Sequence, residues 1–209
     1  MHATPAEAAD SRTGDKAMSV QEAVSLQVTR RSFTVAEYER MGQFGIFSED
    51  ERVELVCGEI IRMSPIGKRH AAVVGLLTQL ITLLLQRTAI VWVQNPIQLD
   101  DHSEPQPDIA VLKPRADFYR RSKPTPADVL LVIEVSDTTL EYDRKVKVPL
   151  YARAGIPETW VVNLAEEQIE AYADPAGGAY QTCNSYERGE ELQSRSLAPL
   201  RVSVAEILG

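Results

Sequence analysis

The sequence predicts a single α/β domain, and three observations lead there. At 209 residues, with 44% hydrophobic and 25% charged content, the chain is long enough for one full core and too short for two comfortable ones. Short apolar runs bounded by Pro, Gly and Asp, such as Ile109-Ala110-Val111-Leu112 and Leu130-Leu131-Val132-Ile133, read as strands buried on both faces. Between them, Val73, Leu76, Leu77, Leu80, Ile81, Leu84 and Leu85 recur at helical spacing from Arg69 to Arg87.

Residues 1 to 30 are rich in Ala, Ser, Thr and Glu without an apolar period, so a flexible N-terminal arm is expected ahead of a domain at 31–209. Thr34 with Glu37 makes a capping box that opens a short helix, stopped at Gly42 or Gly45. Val53–Val56 and Glu59–Met63 flank Cys57-Gly58 as a β-hairpin carrying Glu54 and Glu59. After the Arg69–Arg87 helix, strands are expected at Ile90–Leu99, Asp108–Lys113 and Leu130–Val135. Asp143–Ala154 reads as a helix ended by Gly155 and Pro157. Pro149 predicts a kink or a late start, because proline lacks the N–H and disfavours helical geometry at Val148. Thr159–Asn163 and Gln168–Tyr172 follow as a strand hairpin, then an acidic tail segment to Leu208.

Composition narrows function. Of a net charge of −8, residues 158–209 hold −6, so the preceding part is near neutral and an avid nonspecific nucleic-acid binder is not expected. Within that part Lys113, Arg115, Arg120, Arg121 and Lys123 surround Asp117 as a basic loop, which makes Arg120 and Arg121 phosphate-contact candidates. His70, beside Lys68 and Arg69 at a helix start, is a third. Cys57 and Cys183 form no disulfide framework or zinc spacing; two buried thiols in a cytoplasmic protein are expected. The Arg69–Arg87 segment is shorter than the ~20 apolar residues of a membrane span and is interrupted by polar groups, so no membrane association is expected.

The chemistry centres on Glu134, an acid inside an apolar strand. Left dry and unpaired, an ionised carboxylate costs several kcal/mol, so Glu134 requires a cation or a raised pKa. Asp108 opens a neighbouring short strand, and Glu54 lies in the apolar context of Val53, Leu55 and Val56. Carboxylates from different elements are the hard oxygen donors that Mg²⁺ or Mn²⁺ takes in phosphate-cleaving sites. Asp143, Lys147, Leu150, Tyr151 and Ala154 share one helical face, which turns Lys147 inward and Lys145, about 200° away, outward. A lysine near its reference pKa of about 10.4 stabilises charge or holds water rather than acting as base.

Pro107-Asp108, Glu134-Val135-Ser136, Tyr142-Asp143-Arg144, Lys147 and Tyr151-Ala152-Arg153-Ala154-Gly155-Ile156-Pro157-Glu158-Thr159-Trp160 resemble the Uma-type restriction endonuclease family of the PD-(D/E)XK nuclease superfamily. Glu54-Leu55-Val56-Cys57-Gly58-Glu59-Ile60 and Ser64-Pro65 through His70 resemble it too, giving coverage from Phe33 to at least Asn163. The resemblance implies a restriction-endonuclease-like fold: a central mixed sheet flanked by helices, with an N-terminal β-hairpin. It also implies Asp108 and Glu134 as metal ligands, Glu54 as the first acid of the site and Tyr151 as its support. The superfamily's usual lysine, two residues after the second acid, is Ser136 here; the resemblance implies that Lys147 replaces it.

The resulting expectation is a Mg²⁺- or Mn²⁺-dependent endonuclease that hydrolyses DNA phosphodiesters, with Glu54, Asp108 and Glu134 on the metal and Lys147 as the cation. A homodimer suits double-strand cutting. The rivals are a catalytically silent binding or regulatory protein on the same fold, and a phosphodiesterase for a non-DNA substrate.

Overall fold

Six strands build one mixed sheet that places the two central acids side by side. They are β3 (Ile90–Val93), β4 (Ile109–Leu112), β5 (Val129–Ser136), β6 (Glu158–Asn163), β7 (Gln168–Ala176) and β8 (Ala179–Glu187), adjacent in that order. This computed structural model describes residues 29–48 and 50–209, and Ser32–Gly209 forms the compact unit. The arm expected over residues 1–30 lies outside the described residues save its last two.

All neighbouring strands are antiparallel except β5 and β6. A parallel pair needs a crossover, and the segment Leu140–Arg153 supplies it. It runs as α3 (Leu140–Tyr142), a π-turn (Asp143–Lys147) and α4 (Val148–Arg153). Pro149 explains the wide turn: its ring would strike the Lys145 carbonyl of a regular helix, and the π-turn ends just before it. The helix therefore absorbs Pro149 without breaking. Gly155, at φ +77°, closes the segment as expected.

Side-chain alternation divides the core. Ile109 and Val111 of β4 and Leu131, Ile133 and Val135 of β5 face α2 (Lys68–Leu85), which buries Val73, Val74, Leu77, Ile81 and Leu85. Ala110, Leu112 and Val132 face the other side, with Leu150 and Tyr151 of α4. Glu134 has the parity of Val132, so it points toward the crossover helix. By length and composition α2 is apolar enough to cross a membrane, but its apolar stripe lies on the sheet.

The capping box at Thr34 opens α1 (Val35–Gln43). The hairpin β1 (Val53–Val56) and β2 (Glu59–Arg62) is a separate two-stranded sheet. Its turn has Cys57 at φ +51° and Gly58 at φ +78°, the two positive angles that a tight hairpin requires.

Three expectations change, and the acidic tail gains defined elements. Cys57 and Cys183 are exposed rather than buried; the first sits on the hairpin turn and the second on edge strand β8. The strand at Ile90 ends at Val93, because Gln94 takes φ +49° and Pro96 follows. Beyond Tyr172, β7 continues to Ala176 and pairs with the nine-residue β8, a polar edge strand without an apolar run. The acidic tail is ordered into β9 (Glu191–Gln193), β10 (Arg201–Ser203) and α5 (Val204–Leu208), which bury Leu192, Val202, Val204 and Ile207.

Candidate active site

Asp108 ends the loop that leads into β4, and its neighbour Ile109 pairs with Ile133 on β5. Asp108 therefore lies across from Glu134. The Asp108 N–H donates to Glu134 Oε2 at 3.4 Å, and the Val135 N–H donates to Asp108 Oδ2 at 2.9 Å. Backbone bonds at a sheet end thus fix both carboxylates to one another's strand. Asp108 receives two more bonds, from His70 Nε2 of α2 at 3.0 Å and from Gln94 Nε2 at 3.2 Å.

Lys147 arrives from the π-turn. Its Nζ stands 3.2 Å from Glu134 Oε1 and 3.2 Å from Glu54 Oε2, so one ammonium joins β1 to β5. Tyr151, one turn further on, donates to Glu134 Oε1 at 2.6 Å. Glu54 Oε2 also accepts the Gln106 N–H at 3.0 Å, and Glu54 Oε1 the Tyr142 hydroxyl at 3.4 Å. Asp143, on the same inner face as Lys147, accepts the hydroxyls of Ser136 and Thr139, both at 2.7 Å. Lys145 points away and pairs with exposed Glu141.

Four buried acids, Glu54, Asp108, Glu134 and Asp143, thus surround one buried lysine and one half-buried histidine. The electrostatics follow from that surplus. Burial pushes Glu134 up to about 8, against the opposing pull of Lys147. Burial also raises Asp143. For Lys147 burial acts to lower the pKa, but Glu134, Glu54, Asp143 and Asp108 outweigh it and hold the ammonium charged well above its usual range. Asp108 goes the other way: burial would raise it, yet the bonds from His70, the Val135 N–H and Gln94 hold it below the usual carboxylate range. His70 is raised by its bond to Asp108. Two adjacent acids are therefore split, Asp108 drawn below the usual carboxylate range and Glu134 pushed above it.

Glu54, His70, Asp108, Glu134, Asp143 and Lys147 all line one cleft of about 740 Å³. Tyr151 stands behind Glu134, fully buried. Arg120 and Arg121 are exposed on the loop after β4 and do not line the cleft. Gln94, Gln106, Tyr142 and the cleft-lining Arg52 and Arg62 belong to the site's surroundings without any sequence signal of the kind that marks an acid in an apolar run. Their roles are set by pairing across β1, β2 and the loop before β4, which local sequence does not reveal.

Among the described residues no three His, Cys, Asp or Glu side chains gather closely enough to share an ion. Glu54, expected as a third ligand, is instead engaged by Lys147. The donors nevertheless suit a hard cation. A carboxylate oxygen carries two lone pairs, and Asp108 Oδ1 and Glu134 Oε2 each accept a single hydrogen bond. Two such oxygens, with water filling the remaining positions, are what Mg²⁺ commonly takes from a protein.

The fold compares with that of a solved structure. The crystal structure described as a putative nuclease belonging to DUF820, from Anabaena variabilis, superposes with a TM-score of 0.63 at 18% identity, covering 80% of this chain and 96% of that one. No curated protein matches the chain. The family model described as "Uma2: Putative restriction endonuclease" matches residues 35–205, a span that includes every element from α1 to β10 and all the acids of the cleft. The chain belongs to the Uma2 family of restriction-endonuclease-like proteins.

Proposed function

We propose that the protein is a metal-dependent endonuclease that hydrolyses DNA phosphodiester bonds, with Mg²⁺ or Mn²⁺ held by Asp108 and Glu134. The observation that carries this reading is the surplus of buried carboxylate around a single buried lysine in an open cleft. A buried acid whose ionised form is disfavoured beside another acid costs the fold stability as the pH rises, and perturbed acids of this kind concentrate at functional sites. Family membership points to the same chemistry.

When bound, the divalent ion would polarise the phosphoryl oxygens and lower the pKa of an attacking water. The chain's own groups do the rest. Asp108, oriented by His70, Gln94 and the Val135 N–H, presents an ionised oxygen to the cleft. Tyr151 fixes Glu134. Lys147, kept protonated by its carboxylate neighbours, stabilises negative charge developing on the phosphate in the transition state. Glu54 positions Lys147. Because this lysine comes from the crossover helix, Ser136 is free to hold Asp143. Two copies of the chain would be needed to cut both strands of a duplex together.

Cleavage of supercoiled plasmid by identically purified wild type and Asp108→Ala, in Mg²⁺ and in Mn²⁺, tests the reading. Nicking and linearisation by wild type alone are expected. No cleavage by either protein, or equal cleavage by both, would remove the endonuclease assignment and favour a binding protein on this fold.

A further inference from the structure

The loop from Lys113 to Pro124, between β4 and β5, holds two bulky residues side by side in left-handed backbone, Phe118 at φ +49° and Tyr119 at φ +58°. Such angles are outliers for large side chains and carry strain. Tyr119 offsets it by burial. Its ring lies in the core against Trp92, with centroids 6.2 Å apart, and its hydroxyl donates to the Lys113 carbonyl at 2.9 Å. Phe118 has no such return, because it is 65% exposed. Glycine or asparagine takes this conformation at least cost, so stability alone does not account for a phenyl ring there.

The loop is braced around that ring. The Arg115 guanidinium stacks 3.8 Å from the Tyr119 ring centre, donates to Asp117 at 2.6 Å, and reaches the Ser122 hydroxyl at 3.2 Å and carbonyl at 3.1 Å. Asp117 also accepts the Tyr119 N–H at 3.3 Å. Lys123 ties the far end of the loop to Glu104, at 2.6 Å, and to Glu39 of α1. The charges of Arg115 and Lys123 are thus neutralised within the fold. Arg120 and Arg121 differ: both are exposed, and neither holds a carboxylate partner among the described residues.

We propose that Phe118, Arg120 and Arg121 form a docking element for single-stranded DNA, in which the two guanidinium groups take phosphates and the phenyl ring stacks on an unpaired base. This deepens the phosphodiesterase reading above and rests on it for the choice of partner. An exposed ring beside two free guanidinium groups matches both parts of a nucleotide, the flat base and the anionic phosphate. None of the three residues lines the cleft, so the nucleotide they hold is not the one hydrolysed at Asp108 and Glu134. The element therefore selects a polynucleotide over a single phosphodiester. Its residues position the strand without reading its sequence.

The test is fluorescence anisotropy of a short labelled single-stranded DNA titrated with the full chain, with Ca²⁺ in place of Mg²⁺ and salt varied from about 50 to about 200 mM. Wild type is compared with Arg120→Gln/Arg121→Gln, with Phe118→Asn, and with the control Arg188→Gln/Arg201→Gln, which changes the net charge equally but acts on arginines already paired with Glu167 and Glu191. The loop glutamine pair is expected to weaken binding roughly tenfold and to flatten the slope of log Kd against log salt by about 1.4, or ~0.7 for each phosphate lost. Phe118→Asn should weaken binding several-fold with the slope kept, and its urea midpoint should stand at or above that of wild type because the left-handed strain is relieved. The control should stay close to wild type in both readouts. Plasmid cleavage by wild type, together with unchanged single-strand affinity in the glutamine pair and in Phe118→Asn, overturns the docking element alone. A Phe118→Asn protein that unfolds more easily and binds DNA as wild type does also overturns it, by making the ring structural. Binding of wild type to phosphatidylserine vesicles but not to DNA overturns it in favour of a membrane surface. The absence of both DNA binding and plasmid cleavage in wild type overturns the element and the phosphodiesterase reading together.

Discussion

Two glutamates on neighbouring strands of one sheet, Glu134 on β5 and Glu158 on β6, are equally hidden from water, at 3% and 1% exposure. Their surroundings are opposite. Glu158 accepts bonds from Trp160 Nε1, from the hydroxyls of Ser194 and Ser196 and from the N–H groups of Arg195 and Ser196, all at 2.7–3.0 Å. Every donor is neutral, and no cation is needed. Glu134 receives one short neutral bond, from Tyr151, then a lysine it shares with Glu54 and a long backbone bond. It also faces the charges of Asp143 and Asp108. Burial of an acid is thus common to a structural tie and to a candidate catalytic group; what differs is whether the lone pairs are saturated.

The largest effect expected from this contrast is a division between activity and stability. Glu134→Gln should lower plasmid cleavage on the order of a thousandfold, equivalent to about 4 kcal/mol of transition-state stabilisation, while its unfolding midpoint in urea at pH 8 stays at or above that of wild type. Glu158→Gln should do the reverse. It sets an amide NH₂ against a ring of donors and leaves some of them dry, so a loss of about 3 kcal/mol is expected in urea unfolding, with cleavage per folded molecule unchanged. If Glu158→Gln abolished cleavage at full stability, the distinction drawn from lone pairs would be wrong.

A second and smaller effect concerns pH. With Glu134 pushed up to about 8 from its ordinary 4.5, the folded chain binds this proton more tightly than the unfolded chain does. The associated stability is fully present below about 4.5 and is lost as the pH rises through about 8. Metal-free protein should therefore melt several degrees lower at pH 8 than at pH 5.5, on the order of a few kcal/mol. Glu134→Gln should flatten that fall. Added Mg²⁺ should stabilise wild type more at pH 8 than at pH 5.5, because the ion competes with the proton. Calorimetry across the range decides it, and an equal pH slope in the variant would assign the titration to another group.

The same contrast shows how far sequence reasoning reaches. Glu134 was legible because an acid interrupts a run otherwise buried on both faces, and Lys147 because a four-residue step from Asp143 keeps one helical side even through a π-turn. Asp108 and Glu54 followed as acids at the edges of apolar strands. Glu158, at a strand start after Pro157, gives no such signal, since its five donors come mainly from residues 194 to 196, far along the chain. The polar edge strand β8 escaped because strand patterning depends on an apolar face, and β8 is largely exposed on both. Local pattern identifies what is buried, whereas partnership between distant loops must be built.

The smallest expected effect is the sharpest probe of the difference, because it removes one hydroxyl from each glutamate. Ser194→Ala takes one of five bonds from Glu158 and should cost about 1 kcal/mol in urea unfolding, the ordinary net contribution of one hydrogen bond. Tyr151→Phe takes from Glu134 its only short neutral bond, one that favours the ionised form. The carboxyl should then hold its proton more tightly, so a divalent ion must displace it at greater cost. Isothermal titration should show Mg²⁺ binding several-fold weaker at pH 7, with the gap to wild type closing as the pH rises above Glu134's value. A gap that stays constant with pH would mean that Tyr151 acts by packing alone, leaving Lys147 as the group that governs the charge on Glu134.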